Sequence, residues 1–193
     1  MNKQIDTKAI EASVAEILIA LGRNPIEDEL KDTPKRVAKM FAEIFEGELY
    51  SNDEIAEMFN TTFDFTYSKD AEPGDSMVVV KNIETFSTCE HHMALMYDMN
   101  ITVAYIPVGR VLGLSKIPRI CELVCKRLQL QEKIGQDIAD IISSITGTND
   151  IAVLINAKHS CVGARGIKKQ NTVTSTACLR GRFKNEYFPQ LYT

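Results

Sequence analysis

Apolar residues recur at helical spacing in the first third of the chain and at alternate positions from about Phe63 onward. Ile10, Val14, Ile17, Leu18 and Leu21 form one stripe, which predicts a first helix capped by Thr7 and stopped by Gly22. Asn24-Pro25 reads as a turn. Asp32-Thr33-Pro34 opens a second helix, with Thr33 as cap, Pro34 in the first turn and Val37, Met40, Phe41 and Ile44 as its buried face, ended by Gly47. Ser51 caps a short third helix through Phe59. The period then changes to two. Phe63, Phe65 and Tyr67 alternate with polar residues, and Asp70 to Asp75 reads as a loop. Strands are expected over Met77 to Phe86 and Asn100 to Pro107, paired with each other. Gly113-Leu114-Ser115-Lys116 is a strand-to-helix turn with Ser115 as cap. Ile120, Leu123, Val124 and Leu128 mark one helix. A break falls within Arg127 to Gln131. Ile134, Ile138, Ile141, Ile142 and Ile145 mark another helix, ended by Gly147. Ile151 to Ala157 and Thr172 to Phe183 are the last strands, and Tyr187 to Thr193 is irregular.

Helices, two strands, two helices, two strands is an α+β order: an antiparallel sheet with a helix pair between strand pairs, covered by helices on one face. A helical N-terminal region, 1–60, precedes the main domain, 61–193. A sheet with open edges and an uncovered face makes oligomerisation an expectation. The composition is ordinary for a globular chain, 45% hydrophobic and 25% charged, and the net charge of −4 is spread without a basic stripe. Nucleic acid is therefore not an expected partner. No apolar run is long enough for a transmembrane helix, and the N-terminus has no signal-peptide pattern. Five cysteines without an export signal point to the reducing cytoplasm, with thiols used as ligands or core residues.

The chemistry is concentrated in two places. Cys89-Glu90-His91-His92 puts a thiol, a carboxyl and two imidazoles in consecutive positions, and His159-Ser160-Cys161 follows far along the chain. All three histidines lie in these clusters. If Cys89 to His92 form a helical turn, Cys89 and His92 share a face. If 159 to 161 stay extended, His159 and Cys161 project to one side. Cys89, His92 and Cys161 then make a Cys2His site with His91 and His159 unligated beside it. Three protein ligands and an open fourth position is a catalytic zinc arrangement. Two thiolates roughly cancel the charge of Zn2+, so nearby imidazoles become useful as general acid and base. Spacing alone equally allows a structural metal or unmetallated core thiols. Cys121, Cys125 and Cys178 fall in apolar registers and read as core thiols.

Ser115, Lys116 and Arg119 gather at a helix start, and Arg165 follows Cys161; together they form either an anion site or a cap with surface charges. Glu132 opens a helix, where a carboxylate is favourable in any case. Arg36 and Lys39 share a helix face that reads as a solvated basic patch.

Several segments resemble the GTP cyclohydrolase I family. They are Asp32-Thr-Pro-Lys-Arg-Val-Ala-Lys-Met40, Ser87-Thr-Cys-Glu-His-His92, Ala104-Tyr-Ile-Pro107, Gly113-Leu-Ser-Lys116, Arg127-Leu-Gln-Leu-Gln-Glu132, His159-Ser-Cys161 and Ala164-Arg-Gly166, in family order. The resemblance implies the tunnelling fold, with a barrel closed by oligomerisation into a toroidal homodecamer and active sites between subunits. It implies Zn2+ on Cys89, His92 and Cys161, and hydrolysis and rearrangement of GTP to 7,8-dihydroneopterin triphosphate and formate, at the entry to tetrahydrofolate synthesis. Water activated at the metal would add to C8. His159 is similar to the residue that protonates the opening ring, His91 to a second acid–base group, and Ser115 to a residue assisting ring opening. Glu132, with Gln131, stands at the guanine anchor. Lys116, Arg119 and Arg165 match triphosphate-binding positions, and Arg36 and Lys39 match basic residues lent by a neighbouring subunit.

Two segments depart from the family pattern. Many members have Pro and Gly after the position of His92, where this chain has Met93-Ala-Leu-Met-Tyr-Asp98, and the tail lacks an acidic-aromatic ending. No N-terminal extension points to a regulatory domain. The residues leave two other readings open. One is a nitrile reductase of 7-deazaguanine metabolism, using a cysteine nucleophile and NADPH, against which the pairing of Cys89 and Cys161 with His92 counts. The other is a non-catalytic paralogue, whose mark would be loss of His91, His159 or Glu132.

Overall fold

The computed structural model describes residues 3–66 and 76–191. Tyr67, the loop at Asp70 to Asp75 and the last two residues of the tail lie outside them. Helix α1 (Thr7–Ala20) and helix α2 (Thr33–Ile44) pack on each other as a hairpin. Asp6, not Thr7, caps α1, because its carboxylate accepts from the Ala9 N–H at 2.9 Å, one of the donors a helix start leaves unpaired. The second cap is also one residue early: Asp32 holds the cap position without a side-chain bond, and Thr33 is already helical.

Gly47 lies beyond the end of α2, in a 3-10 turn over Glu46–Leu49. Its N–H donates to the Lys126 carbonyl at 2.9 Å, and a Cβ there would meet the carbonyls of Leu123 and Lys126. It is a point of close backbone approach, not a helix stop. Helix α3 (Asn52–Met58) starts on a reciprocal cap: Ser51 Oγ accepts from Glu54 N–H at 3.2 Å, and the Glu54 carboxylate accepts from Ser51 N–H at 2.7 Å.

Strand β1 (Thr62–Asp64) pairs with β4 (Arg110–Leu112), a strand the apolar pattern did not mark. The main sheet has the spatial order Leu128–Gln129 (β5), Val78–Cys89 (β2), Ala94–Tyr105 (β3), Ile151–His159 (β6) and Thr174–Leu179 (β7). Its long hairpin is β2 (Val78–Cys89) and β3 (Ala94–Tyr105), followed by β6 (Ile151–His159) and β7 (Thr174–Leu179), all antiparallel neighbours. β3 begins well before Asn100, so Ala94 to Asp98, most of the segment after His92 that differs from the pattern of the family it resembles, is strand. Both long strands bulge: register breaks fall between Val80 and Ile83 and between Tyr97 and Asn100, with Asn82 at φ 56° and Asp98 at φ 48°. β7 is shorter than the alternation implied, and Phe183 sits in a 3-10 turn beyond it.

Helix α4 (Lys116–Cys125) and helix α5 (Gln131–Thr146) cover one face of the sheet. Ile117, Ile120 and Val124 of α4 meet Ile134, Ile138, Ile141 and Ile142 of α5 above Ile101, Val103, Tyr105, Val153 and Ile155 of the strands, each at most 1% exposed. Burying each such side chain stabilises by about 1.5–3 kcal/mol. The Tyr105 hydroxyl, in the same core, accepts from Leu112 N–H at 2.8 Å and so is not left unpaired. Leu128 is not helical. It forms, with Gln129, a short parallel strand β5 beside Thr88 and Cys89. A smaller cluster of Ala104, Ile106, Ala152, Phe183 and Leu191 lies where the C-terminal turns reach the strands. Among the described residues no helix is long and apolar enough to cross a membrane.

Candidate functional site

Two strand ends build the site. β2 ends at Cys89, and Glu90 to Met93 form a hairpin turn rather than a helical one, closed by the pairing of Cys89 with Ala94. Met93 takes φ 49°, the left-handed position that such a turn requires. The Glu90 N–H donates to the Gln129 carbonyl at 3.3 Å and fixes the turn to β5. β6 ends at His159, and the chain bends at once into a single helical turn, α6 (Ser160–Gly163), so 159 to 161 are not extended. The Ala164 N–H closes that turn on the Ser160 carbonyl at 2.8 Å.

The β3–β6 ladder, with Met96 opposite His159, brings the two ends together. The sulfurs of Cys89 and Cys161 and a ring nitrogen of His159 lie within 4.8 Å of one another. Burial pushes the Cys161 thiol up, and the Cys89 thiol beside it adds to the effect. A metal ligand must be the thiolate, and a divalent cation between the two sulfurs would favour that form. This donor set of two sulfurs and an imidazole therefore fits a borderline metal. His159 is held toward its neutral form by burial, against the opposing pull of Glu132.

His92 is not in that group of three. Its Nε2 lies 3.2 Å from Nη1 of Arg165. A guanidinium can only donate, so His92 Nε2 is the lone-pair nitrogen. His91 is exposed in the hairpin turn. Gln131, buried to 2% exposure at the start of α5, meets His159 at 2.7 Å. Glu132, the next residue, is exposed and lines a groove of about 430 Å³ between α5 and β7.

The other residues singled out in the sequence lie on α4, α2 and β7. Ser115, Lys116 and Arg119 sit at the start of α4, and Ser115 occupies the cap position without a side-chain bond. Arg36 and Lys39 are exposed on α2, with Arg36 3.7 Å from Asp32. Cys121 and Cys125 are core thiols: both are at most 1% exposed, and burial pushes Cys125 up to about 12. Cys178 is half-buried against the same core.

The sequence pattern did not reveal a buried ion pair at the connection between α4 and α5. Arg127 Nη1 lies 3.0 Å from Asp137 and 2.8 Å from Asn52 Oδ1, while Nε and Nη2 donate to the Gly47 and Tyr50 carbonyls. Arg127 opens the Arg-Leu-Gln-Leu-Gln-Glu run, but a partner ten residues on carries no periodic signal.

Residues 10–190 match the family model for GTP cyclohydrolase I. A curated relative named GTP cyclohydrolase 1, from Clostridium acetobutylicum, is 57% identical over 182 residues, covering 94% of this chain and 92% of the relative. One of the same name from Clostridium botulinum strain Loch Maree is also 57% identical, with the same coverage. Among solved structures, the apo archaeosine synthase QueF-Like matches 56% of this chain and 94% of its own, at 17% identity and a TM-score of 0.42.

Proposed function

The chain belongs to the GTP cyclohydrolase I family of enzymes, and from that premise we propose that it opens the imidazole ring of GTP and rebuilds it as 7,8-dihydroneopterin triphosphate, releasing formate, at the first step of tetrahydrofolate synthesis. The observation that carries this beyond the name is the meeting of the two clusters: Cys89, His159 and Cys161 converge from strand ends far apart in sequence.

Cys89, His92 and Cys161 would hold Zn2+. The two thiols are already together, and His92 offers an Nε2 lone pair next to Arg165. The metal, when bound, supplies a Lewis acid that generates a nucleophile from water for attack at C8. His159 is the proton carrier for the ring nitrogen as the C8 bond breaks. Its burial favours the neutral ring, which is the form that can take a proton and pass it on. His91 is the second acid–base group, and Ser115 assists ring opening. Glu132 accepts hydrogen bonds from the guanine edge, and its exposed carboxylate beside a groove is free to do so. Lys116, Arg119 and Arg165 bind the triphosphate.

Arg36 and Lys39 are lent by a neighbouring subunit. The complete site is a property of the oligomer, a toroidal decamer with the tunnelling fold. Residues 1–60 are its helical appendage and 61–193 the catalytic unit, working in the cytoplasm.

Turnover of GTP by zinc-loaded protein, followed by formate release and pterin absorbance together, tests the activity. His159→Ala is expected to lower kcat by about 10²- to 10⁴-fold. GTP and zinc bound at stoichiometry with neither product formed would place the chain among non-catalytic relatives.

A further inference from the structure

Gln131 is the first residue of α5, and every polar atom of its side chain is already used. Its Nε2 donates to the Ile155 carbonyl at 3.1 Å, to the Thr174 carbonyl at 3.1 Å and to Thr176 Oγ1 at 3.2 Å. Its Oε1 lies 2.7 Å from His159 Nε2. Turning the amide over would press its oxygen against two carbonyl oxygens, which cannot donate, so the amide has one allowed orientation. Oε1 must then face His159, and an amide oxygen only accepts. The hydrogen of that bond therefore sits on His159 Nε2, and a neutral imidazole with Nε2–H carries its lone pair on Nδ1.

We propose that Gln131 is a positioning residue: it fixes His159 in the Nε2–H tautomer, leaves Nδ1 as the nitrogen that exchanges protons at the site, and makes no contact with guanine. This replaces the expectation that Gln131 joins Glu132 at the base anchor. The side chain is 2% exposed and its hydrogen-bonding groups are spent on β6, β7 and His159, whereas Glu132, next in sequence, is exposed. The amide also ties the start of α5 to the end of β6, so the ring cannot rotate without breaking a bond on a buried group. A glutamate at this position would set carboxylate oxygens against the Ile155 and Thr174 carbonyls, which explains the need for an amide.

The tautomer follows from the hydrogen bonds alone, while its kinetic consequence rests on the cyclohydrolase activity proposed above. Two measurements separate them. The first is a magic-angle-spinning 15N spectrum of zinc-loaded wild-type protein, labelled in histidine and free of nucleotide, at mildly alkaline pH. Three histidines keep the spectrum simple, and His159→Ala assigns the resonance. The expected result is a protonated Nε2 and an unprotonated Nδ1 on His159; a protonated Nδ1 with a bare Nε2 would overturn the proposal. Because this needs no change at Gln131, a variant that fails to fold does not remove the test.

The second is steady-state kinetics of Gln131→Met, which keeps the length and removes the amide. Loss of such an orienting partner is expected to lower kcat by about 10- to 100-fold, with KM for GTP unchanged. A raised KM with kcat intact would put Gln131 on the base and overturn the proposal. If wild-type protein turns over no GTP, the proposed activity fails, and the nitrogen spectrum decides the tautomer by itself.

Discussion

At the scale of single residues, the roles of the imidazoles divide by the partners each ring has. His159 donates from Nε2 to an oriented amide, and His92 accepts at Nε2 from Arg165. A metal needs a lone pair, and His92 gives up only one exposed charge-assisted bond to provide it. His159 is built into the fold through Gln131 and keeps its place whether or not metal is bound. His92→Ala is therefore expected to lose most of its zinc, and His159→Ala to retain it, when metal content is measured after dialysis of the purified variants. Retention by His92→Ala and loss by His159→Ala would transfer the ligand role to His159, which stands with the two thiols.

At the scale of elements, the site depends on a joint that contains none of its chemistry. Asp137, in the second turn of α5, is 3% exposed and receives Arg127, Lys133 and Asn52. Arg127 in turn holds the backbone of the segment between α2 and α3 through the Gly47 and Tyr50 carbonyls. One ion pair thus joins α3, the α4–α5 connection and β5, the strand that lies beside Cys89. Removing one partner leaves a buried charge unpaired, which costs about 3–5 kcal/mol. Asp137→Ala is expected to lose stability in that range by urea denaturation, with Lys133→Ala losing far less because Lys133 is largely exposed. A loss below 1 kcal/mol in Asp137→Ala, on the order of an exposed pair, would show that the joint is not buried in solution.

At the scale of the whole molecule, a single chain leaves conspicuous surfaces open. Ile17 and Ile19 of α1 are 56% and 54% exposed, Leu21 just past its end is 71% exposed, and no residue of α1 is buried. β7 has one sheet neighbour among the described residues, and β2 meets β5 only at Thr88 and Cys89. Open edges and an uncovered apolar helix face favour pairing with further copies. Purified protein is expected to run in sedimentation velocity at a multiple of its 21.6 kDa chain mass, with ten copies as the proposed number. A monomer at micromolar concentration, still active on GTP, would disprove the shared site.

The sequence by itself determined the long helices and strands and the reagents. Periodicity placed the helices and strands because apolar side chains must face one side, and α5 and β6 came out almost residue for residue. The metal-binding residue types were visible because all three histidines and two of the five cysteines lie in two short clusters. What periodicity could not carry was decided in three dimensions. The cap at Asp6, the close approach at Gly47 and the strand at Leu128 depend on single hydrogen bonds or contacts with distant backbone. The extended reading of 159 to 161 failed because the chain turns into α6 once the ladder with β3 ends. Which nitrogen of His159 holds the proton, and whether Gln131 faces guanine or histidine, was never in the sequence. Both depend on carbonyls of β6 and β7 that only the folded sheet brings to the start of α5.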